Sequence, residues 1–443
     1  MNEYSEISMF ILTIFSGFIL IPIWLGLVHR KMVDVFEPIY PLIGFYFLLF
    51  VLQPFILINS FSPLTQVYAF PLAILYAMIG ILAFYIGYYS RLGIIISKHF
   101  PSFSPYYSIK RLFTIVFLFT MIGVVALSWF LYRVFEESSI TWALTHQLEF
   151  NNKYLKTGSG YIMWGISLLQ ISFFLLYGFS LEFRQTKLKV LSLIYLLLVI
   201  PVYFIFGTRW LIIVTFLIPI IIRHYYLNSR VRLWHVLILI PFLIGLFGFL
   251  NLYRGLGEFT IPGIPLFEFL IGTLSGDLLT PFDNFVILIQ AIDSGLLDFS
   301  YGRYYFYLLI TPVPRALWPS KPIVSVEWAF TEAVFGWDPR VGPTRTMTIP
   351  GELYYNLHIA GIILGMVIWG VFWRAMYAYL LRNRHNIGVV LLYALLLSIG
   401  FNAIRTAMEV FIISALVNTV PVLVAMWYMS GEKLIRLRKN QRI

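Results

Sequence analysis

The chain has no cysteine. Disulfides, iron–sulfur clusters, thiol nucleophiles and cysteine-based zinc sites are therefore excluded. Charge is scarce as well: Asp, Glu, Lys and Arg make up 12% of the 443 residues, against about 25% in soluble domains. The seven histidines show no HExxH-like metal spacing, and no metal or other cofactor is expected. No Lys or Arg precedes the first apolar run, Met9 to Val28, although Glu3 and Glu6 do. A secretory signal has a basic start and a shorter core, so this run is expected to be a retained helix.

What the sequence has in quantity is apolar surface. It is 60% hydrophobic and 19% aromatic, with a mean hydropathy of +0.86. That composition predicts an all-α polytopic membrane protein forming one integral membrane domain over 1–443. The net charge of +11 would suggest nucleic acid in a soluble protein. Here it fits the accumulation of basic residues in cytoplasmic loops, and no nucleic-acid partner is expected.

Apolar runs of spanning length fall at 9–28, 39–59, 67–89, 112–135, 161–181, 190–206, 208–224, 233–253, 357–373, 387–403 and 407–429. Residues 190–222 as one helix would be about 50 Å long, against a core of about 30 Å. Two spans turning at Gly207-Thr208-Arg209 are therefore expected. With the N-terminus outside, eleven spans put twenty of the 31 basic residues on the inner side, as the positive-inside rule favours. The connection 254–356 then lies outside, facing the periplasm of a bacterial inner membrane. It carries ten of the twenty acidic residues. Its apolar stretches, Pro265 to Gly272, Leu278 to Ile292 and Tyr304 to Pro312, are too short to span. They are expected to be interfacial or re-entrant segments that close a cavity on the bundle.

Within this connection, residues 301–358 form a polar, proline-rich island, and chemistry is expected here. Arg209, Arg254, Arg303, Arg315, Arg340, Arg345, Arg405 and Lys321 lie on the side that the positive-inside rule disfavours. Either several converge on an anion such as a pyrophosphate, which the planar guanidinium grips bidentately, or each pairs with a loop carboxylate. Arg405 and Glu409 stand four apart, an ion pair that is either structural or positions the arginine. The tract PVPRALWPSKP, 312–322, is a rigid non-helical strap, and its Trp318 offers a flat face to a sugar or to the core. Glu352, at the start of a late span, either complements the helix dipole or acts as a general base. Asp277 and Asp283 are runner-up carboxylates, and His358 reads more readily as a structural histidine. Gly361 and Gly365 have the spacing of a helix-packing stripe.

These tracts resemble one family. Pro312-Val313-Pro314-Arg315 through Trp318-Pro319-Ser320-Lys321-Pro322, then Pro350-Gly351-Glu352 and Tyr354-Tyr355-Asn356, are similar to the bacterial O-antigen (Wzy-type) repeat-unit polymerases. Arg340 and Gly351 also stand eleven apart, a spacing described for some members. The resemblance implies a metal-independent, inverting glycosyltransferase of the C-type membrane architecture. Donor and acceptor would be glycans on undecaprenyl pyrophosphate, in contact with membrane lipids, and a chain-length regulator protein would be a partner. On that reading the catalytic carboxylates are Glu352 and Asp283. The pyrophosphate is held by Arg209, Arg254, Arg315, Arg340, Arg345, Arg405 and Lys321, and sugar is met by Trp318, Tyr354 and Asn356. An O-antigen ligase-type glycan transferase is the alternative of the same class; those ligases carry a catalytic histidine at the external start of a late span, where this chain has Glu352. A lipid-linked oligosaccharide flippase is the alternative of another class. It calls for mid-helix charges and repeat symmetry, and neither stands out in the sequence.

Overall fold

In lipid a backbone satisfies its N–H and C=O groups only within its own helix or a closed barrel. The computed structural model of the protein describes residues 3–30, 34–150, 153–154, 160–232, 234–235, 245–246, 248–249, 265, 272, 279–313, 317–339, 342 and 344–430. Among these residues regular structure is helical, apart from one isolated bridge between Tyr107 and Ser430.

The principal helices are α1 (Glu3–Arg30), α2 (Ile39–Asn59), α3 (Ala69–Tyr89), α4 (Ile109–Phe135), α5 (Gly160–Phe183), α6 (Thr186–Ile205) and α7 (Arg209–Tyr226). After these come three short helices, α8 (Thr280–Asp293), α9 (Arg303–Ile310) and α10 (Val326–Phe335), and then α11 (Ile349–Asn383), α12 (Ile387–Ala403) and α13 (Met408–Met429). Nine of the described helices, α1–α7, α11 and α13, are long and apolar enough to cross a membrane. The apolar α12 is shorter, at 17 residues. Outward faces are greasy: on α4 Phe117, Met121, Val125, Trp129 and Tyr132 are all exposed, as a lipid-facing surface requires. The chain is a multi-pass membrane protein.

The long run after 186 breaks where the sequence suggested. Gly207 takes the left-handed conformation (φ 62°). Its N–H donates to the Phe204 carbonyl (3.0 Å) and the Thr208 N–H to that of Tyr203 (3.1 Å). This glycine C-cap ends α6 and lets α7 begin at Arg209. The expected run 233–253 lies almost wholly outside the described residues.

Reversals sort the connections onto two ends. The end of α13 meets the start of α4, where the Ser108 N–H donates to the Met429 carbonyl (3.1 Å), and Tyr107 meets Asn386 before α12 (2.7 Å). The turns at 206–208 and 404–407, the start of α11 and the short helices α8–α10 therefore share the opposite end. The first group of turns carries Arg91, Lys98, Lys187, Lys189, Arg230 and Arg384 and is called the basic end below. The other is the acidic end.

Helix α3 packs along α11, with glycine on both sides of the crossing. A Cβ on Gly87 would lie 2.1 Å from the Val367 carbonyl, and one on Gly370 2.3 Å from that of Phe84. Such backbone contact is how helices associate where lipid removes the hydrophobic drive. At the basic end the segment 34–38 is buried as a plug. Asp34 accepts from Tyr225 (3.0 Å) and Tyr377 (2.9 Å) and meets His224 (3.1 Å). Tyr88 donates to Glu37 (2.9 Å), and Tyr393 to the Phe36 carbonyl (2.6 Å). Burial alone would raise the Asp34 carboxyl; its bonds to His224, Tyr377 and Tyr225 outweigh that and hold it below the ordinary value.

Candidate active site at the acidic end

The site is built on the first arm of α11. Thr348 caps it by accepting the Gly351 N–H (3.1 Å), with Pro350 in the first turn. The arm stops at Leu357 and His358, whose φ/ψ of −145°/30° and 56°/−151° leave the helical region. It then folds back on the span that follows. The Leu353 carbonyl lies 2.1 Å from where a Cβ on Gly361 would sit, so only glycine fits there. Gly361 thus accommodates its own chain rather than a neighbouring helix. The far end of the arm is pinned by Ser300, whose N–H donates to the Tyr355 carbonyl (2.9 Å) and whose hydroxyl donates to Asn356 Oδ1 (2.6 Å). Asn356 in turn donates to the Glu352 carbonyl (2.9 Å).

This arm carries Glu352 into a ring of three buried glutamates. Glu352, Glu409 and Glu327 are 0%, 2% and 7% exposed. Glu352 Oε2 accepts the N–H groups of Met408 and Glu409 (3.4 Å for the latter) at the start of α13. Glu409 Oε2 accepts the Val326 N–H (2.8 Å) at the start of α10. Glu327 Oε1 accepts the Met347 N–H (3.2 Å), just before the first arm of α11. Each carboxylate therefore serves the backbone at or just before the start of another helix, where the dipole favours negative charge, and the three links close a circle. Arg405, in the turn between α12 and α13, lies within electrostatic reach of Glu327. Burial, followed by the charges of Glu409 and Glu352, raises the Glu327 carboxyl to about 8, despite the Met347 bond and Arg405.

One oxygen of Glu352 is not used this way. Oε1 is buried and makes no hydrogen bond to the backbone; it is faced by the buried hydroxyl of Tyr305 on α9, which interacts with this carboxyl and has no other partner. Burial, then the charge of Glu352, pushes the Tyr305 phenol up, so it keeps its proton as a donor at neutral pH. An acceptor and a donor thus face each other with no third group to serve, in a place where unpaired polar groups are costly.

The other expected residues divide. Asp283 sits in the first turn of α8, accepts from Gln53 (3.0 Å) and is raised to about 6, chiefly by burial, with Arg345 opposing. The Arg345 guanidinium lies over Phe335 (5.1 Å) and Trp337 (5.0 Å), and the residue's backbone N–H donates to the Thr331 hydroxyl on α10 (2.9 Å). Arg209, at the first position of α7, shares the acidic end with Arg405. Lys321 is turned to the protein instead. Its Nζ donates to the carbonyls of Thr311 (2.9 Å) and Val313 (3.0 Å), closing the strap onto the end of α9. Trp318 is exposed, with Nε1 donating to Ser320 (3.1 Å); Tyr301, Phe306, Leu309 and Leu317 are exposed as well. Tyr354 is buried and stacked on Tyr76 (5.3 Å), with His358 and Phe299 around it. Arg254, Asp277, Arg315 and Arg340 lie outside the described residues. Glu327 and Tyr305 were not singled out from the sequence. Nothing in the sequence set them apart: α9 holds two further tyrosines and Arg303, and α10 a second glutamate, Glu332.

No family model, curated protein or solved structure matches this chain.

Proposed function

We propose that the protein is a membrane glycosyltransferase that joins lipid-linked oligosaccharide repeat units into a polysaccharide at the outer face of the bacterial inner membrane. The observation that carries this reading is the buried pair at the acidic end, Glu352 Oε1 and the Tyr305 hydroxyl, which face each other and serve no other group, with Arg405 in reach of Glu327 of the same ring. The positive-inside rule sets the basic end in the cytoplasm and this pair on the opposite side.

In this mechanism Glu352 Oε1 takes the proton of an acceptor sugar hydroxyl as its oxygen attacks the donor's anomeric carbon. The new glycosidic C–O bond forms with inversion as the C–O bond to pyrophosphate breaks. The leaving lipid pyrophosphate departs with the electron pair and receives the charge of Arg405, with Arg209 and Arg345 as further cations of this end. Tyr305 donates to a sugar oxygen and orients it. The exposed aromatics of this end, Trp318 and Phe306 among them, receive glycan or polyprenyl chain. Asp283 is the alternative base. The roles of Arg254, Arg315 and Arg340 follow the sequence resemblance alone.

The test is Glu352→Gln in a host carrying the pathway, at wild-type membrane level. The amide keeps shape and the N–H acceptor oxygen but loses the base. The expected product is single repeat units, with polymer reduced by about two orders of magnitude or more. Full-length polymer from this variant would remove Glu352 from the chemistry and leave Asp283 as the candidate.

A further inference from the structure

Another cavity lies away from this site, at the basic end. It is a groove of about 370 Å³ between α5, α6 and α7, lined by Phe173, Tyr177, Leu193, Leu196, Phe216 and Pro219, with Lys189 and Arg223 among its lining residues. Lys189 is the fourth residue of α6, and Arg223 stands three before the end of α7. Both therefore lie at one level, about one turn inside the basic end. Deep in the groove, the lining residues Phe173, Leu196 and Phe216 are each ten residues from their helix ends. At 1.5 Å per residue the groove runs about 15 Å deep, half of a hydrocarbon core of about 30 Å. It is one leaflet deep, apolar along its length and cationic at the mouth.

We propose that this groove binds an anionic glycerophospholipid of the leaflet at the basic end. The phosphate would lie between Lys189 and Arg223, and one acyl chain along Phe173, Leu196 and Phe216. Charge complementarity selects the headgroup, and the depth selects a lipid over a soluble phosphate. Both cations are exposed. The Arg223 guanidinium lies beside the Tyr177 hydroxyl, which leaves further donors for a phosphate. Glu182, in the last turn of α5, accepts from Tyr226 and so is already engaged. Pro219 has no N–H, so the Thr215 carbonyl lacks its helical donor and both residues line the wall. Basic pockets between spans at the cytoplasmic surface suit anionic headgroups. The site does not depend on the glycosyltransferase reading.

The experiment uses the full-length protein in detergent, incubated with phosphatidylglycerol or phosphatidylcholine, with retained lipid counted by native mass spectrometry. One phosphatidylglycerol per chain is expected to survive delipidation that strips phosphatidylcholine. Lys189→Gln with Arg223→Gln is expected to weaken that retention about thirtyfold, each cation near an anionic headgroup being worth about fivefold. Leu196→Trp, which fills the groove and leaves both cations, is expected to weaken it as well. Equal retention of the two lipids, or retention unchanged in either variant, would overturn the proposal. Displacement of the bound phosphatidylglycerol by glycerol phosphate at matched concentration would overturn it too, because the site would then read phosphate without a chain.

Discussion

Glu352, Glu409 and Glu327 each hold the backbone of a helix other than their own, at or just before its start. Hydrogen bonds to charged groups contribute about 1.5–3 kcal/mol each, and a carboxylate buried without them would take up a proton instead. Three such groups in mutual reach cannot all be charged cheaply, and Glu327 shows it. Its carboxyl is raised from 4.5 to about 8, by burial first. At low pH the folded and unfolded chains both carry this proton. As pH rises from about 4.5 toward 8 the unfolded chain sheds it while the folded one keeps it, so this group's contribution to stability is lost over that window. The apparent melting temperature in detergent is expected to fall by a few degrees between about pH 5 and pH 8.5. Glu327→Gln should flatten that part of the curve. An unchanged slope would mean that Glu327 is not the group that titrates. The sequence made Glu352 legible because it precedes an apolar run. It could not show that the helix start served by Glu352 belongs to α13, 56 residues away. Lys321 misled for a similar reason: its charge suggested phosphate, but the proline strap turns it onto carbonyls ten and eight residues back.

At the scale of the element, the first arm of α11 decides where Glu352 points. Hydropathy starts the span at 357, and the chain does turn at 357–358. The fold-back itself was invisible, because the positive φ falls on His358 rather than on a glycine. The Gly361/Gly365 spacing suggested a partner helix, whereas both glycines face Leu353 of the same chain. The two differ in a way that can be measured. A Cβ at Gly361 meets the Leu353 carbonyl, which is backbone; at Gly365 it meets the Leu353 side chain, which can rotate. Gly361→Ala is expected to cost about 1–3 kcal/mol or more and to reduce polymer by displacing Glu352. Gly365→Ala should cost less and leave polymer near wild type. Equal melting temperatures for the two variants would contradict the fold-back.

At the scale of the whole molecule, the two ends of the bundle differ in kind. The basic end is plugged by 34–38 and its tyrosine bonds, an arrangement for which the sequence offers no periodic signal. The acidic end gathers the buried ring, Arg405, Arg209 and exposed aromatics. Spans were legible because lipid enforces helix on apolar runs; side-chain pairing between residues as far apart as Tyr88 and Glu37 or Tyr377 and Asp34 was not. The asymmetry has a consequence at Asp34, which is held below its ordinary value by His224, Tyr377 and Tyr225 against its burial. Asp34→Ala leaves two buried tyrosine hydroxyls without their acceptor. It should destabilise the protein by about 2–5 kcal/mol, with polymer lost only in proportion to folded protein. Polymer lost at full folded yield would show that the basic end takes part in the chemistry.

The central claim is tested most directly by reconstitution. Purified full-length protein in detergent is mixed with the native undecaprenyl-pyrophosphate repeat unit and EDTA, and the products are separated on a gel. The account predicts a ladder of lengthening glycans on the lipid, absent with Glu352→Gln. No ladder from verified substrate, with that lipid instead moved across liposomes by the same preparation, would make the protein a transporter and contradict every catalytic role assigned to the acidic end.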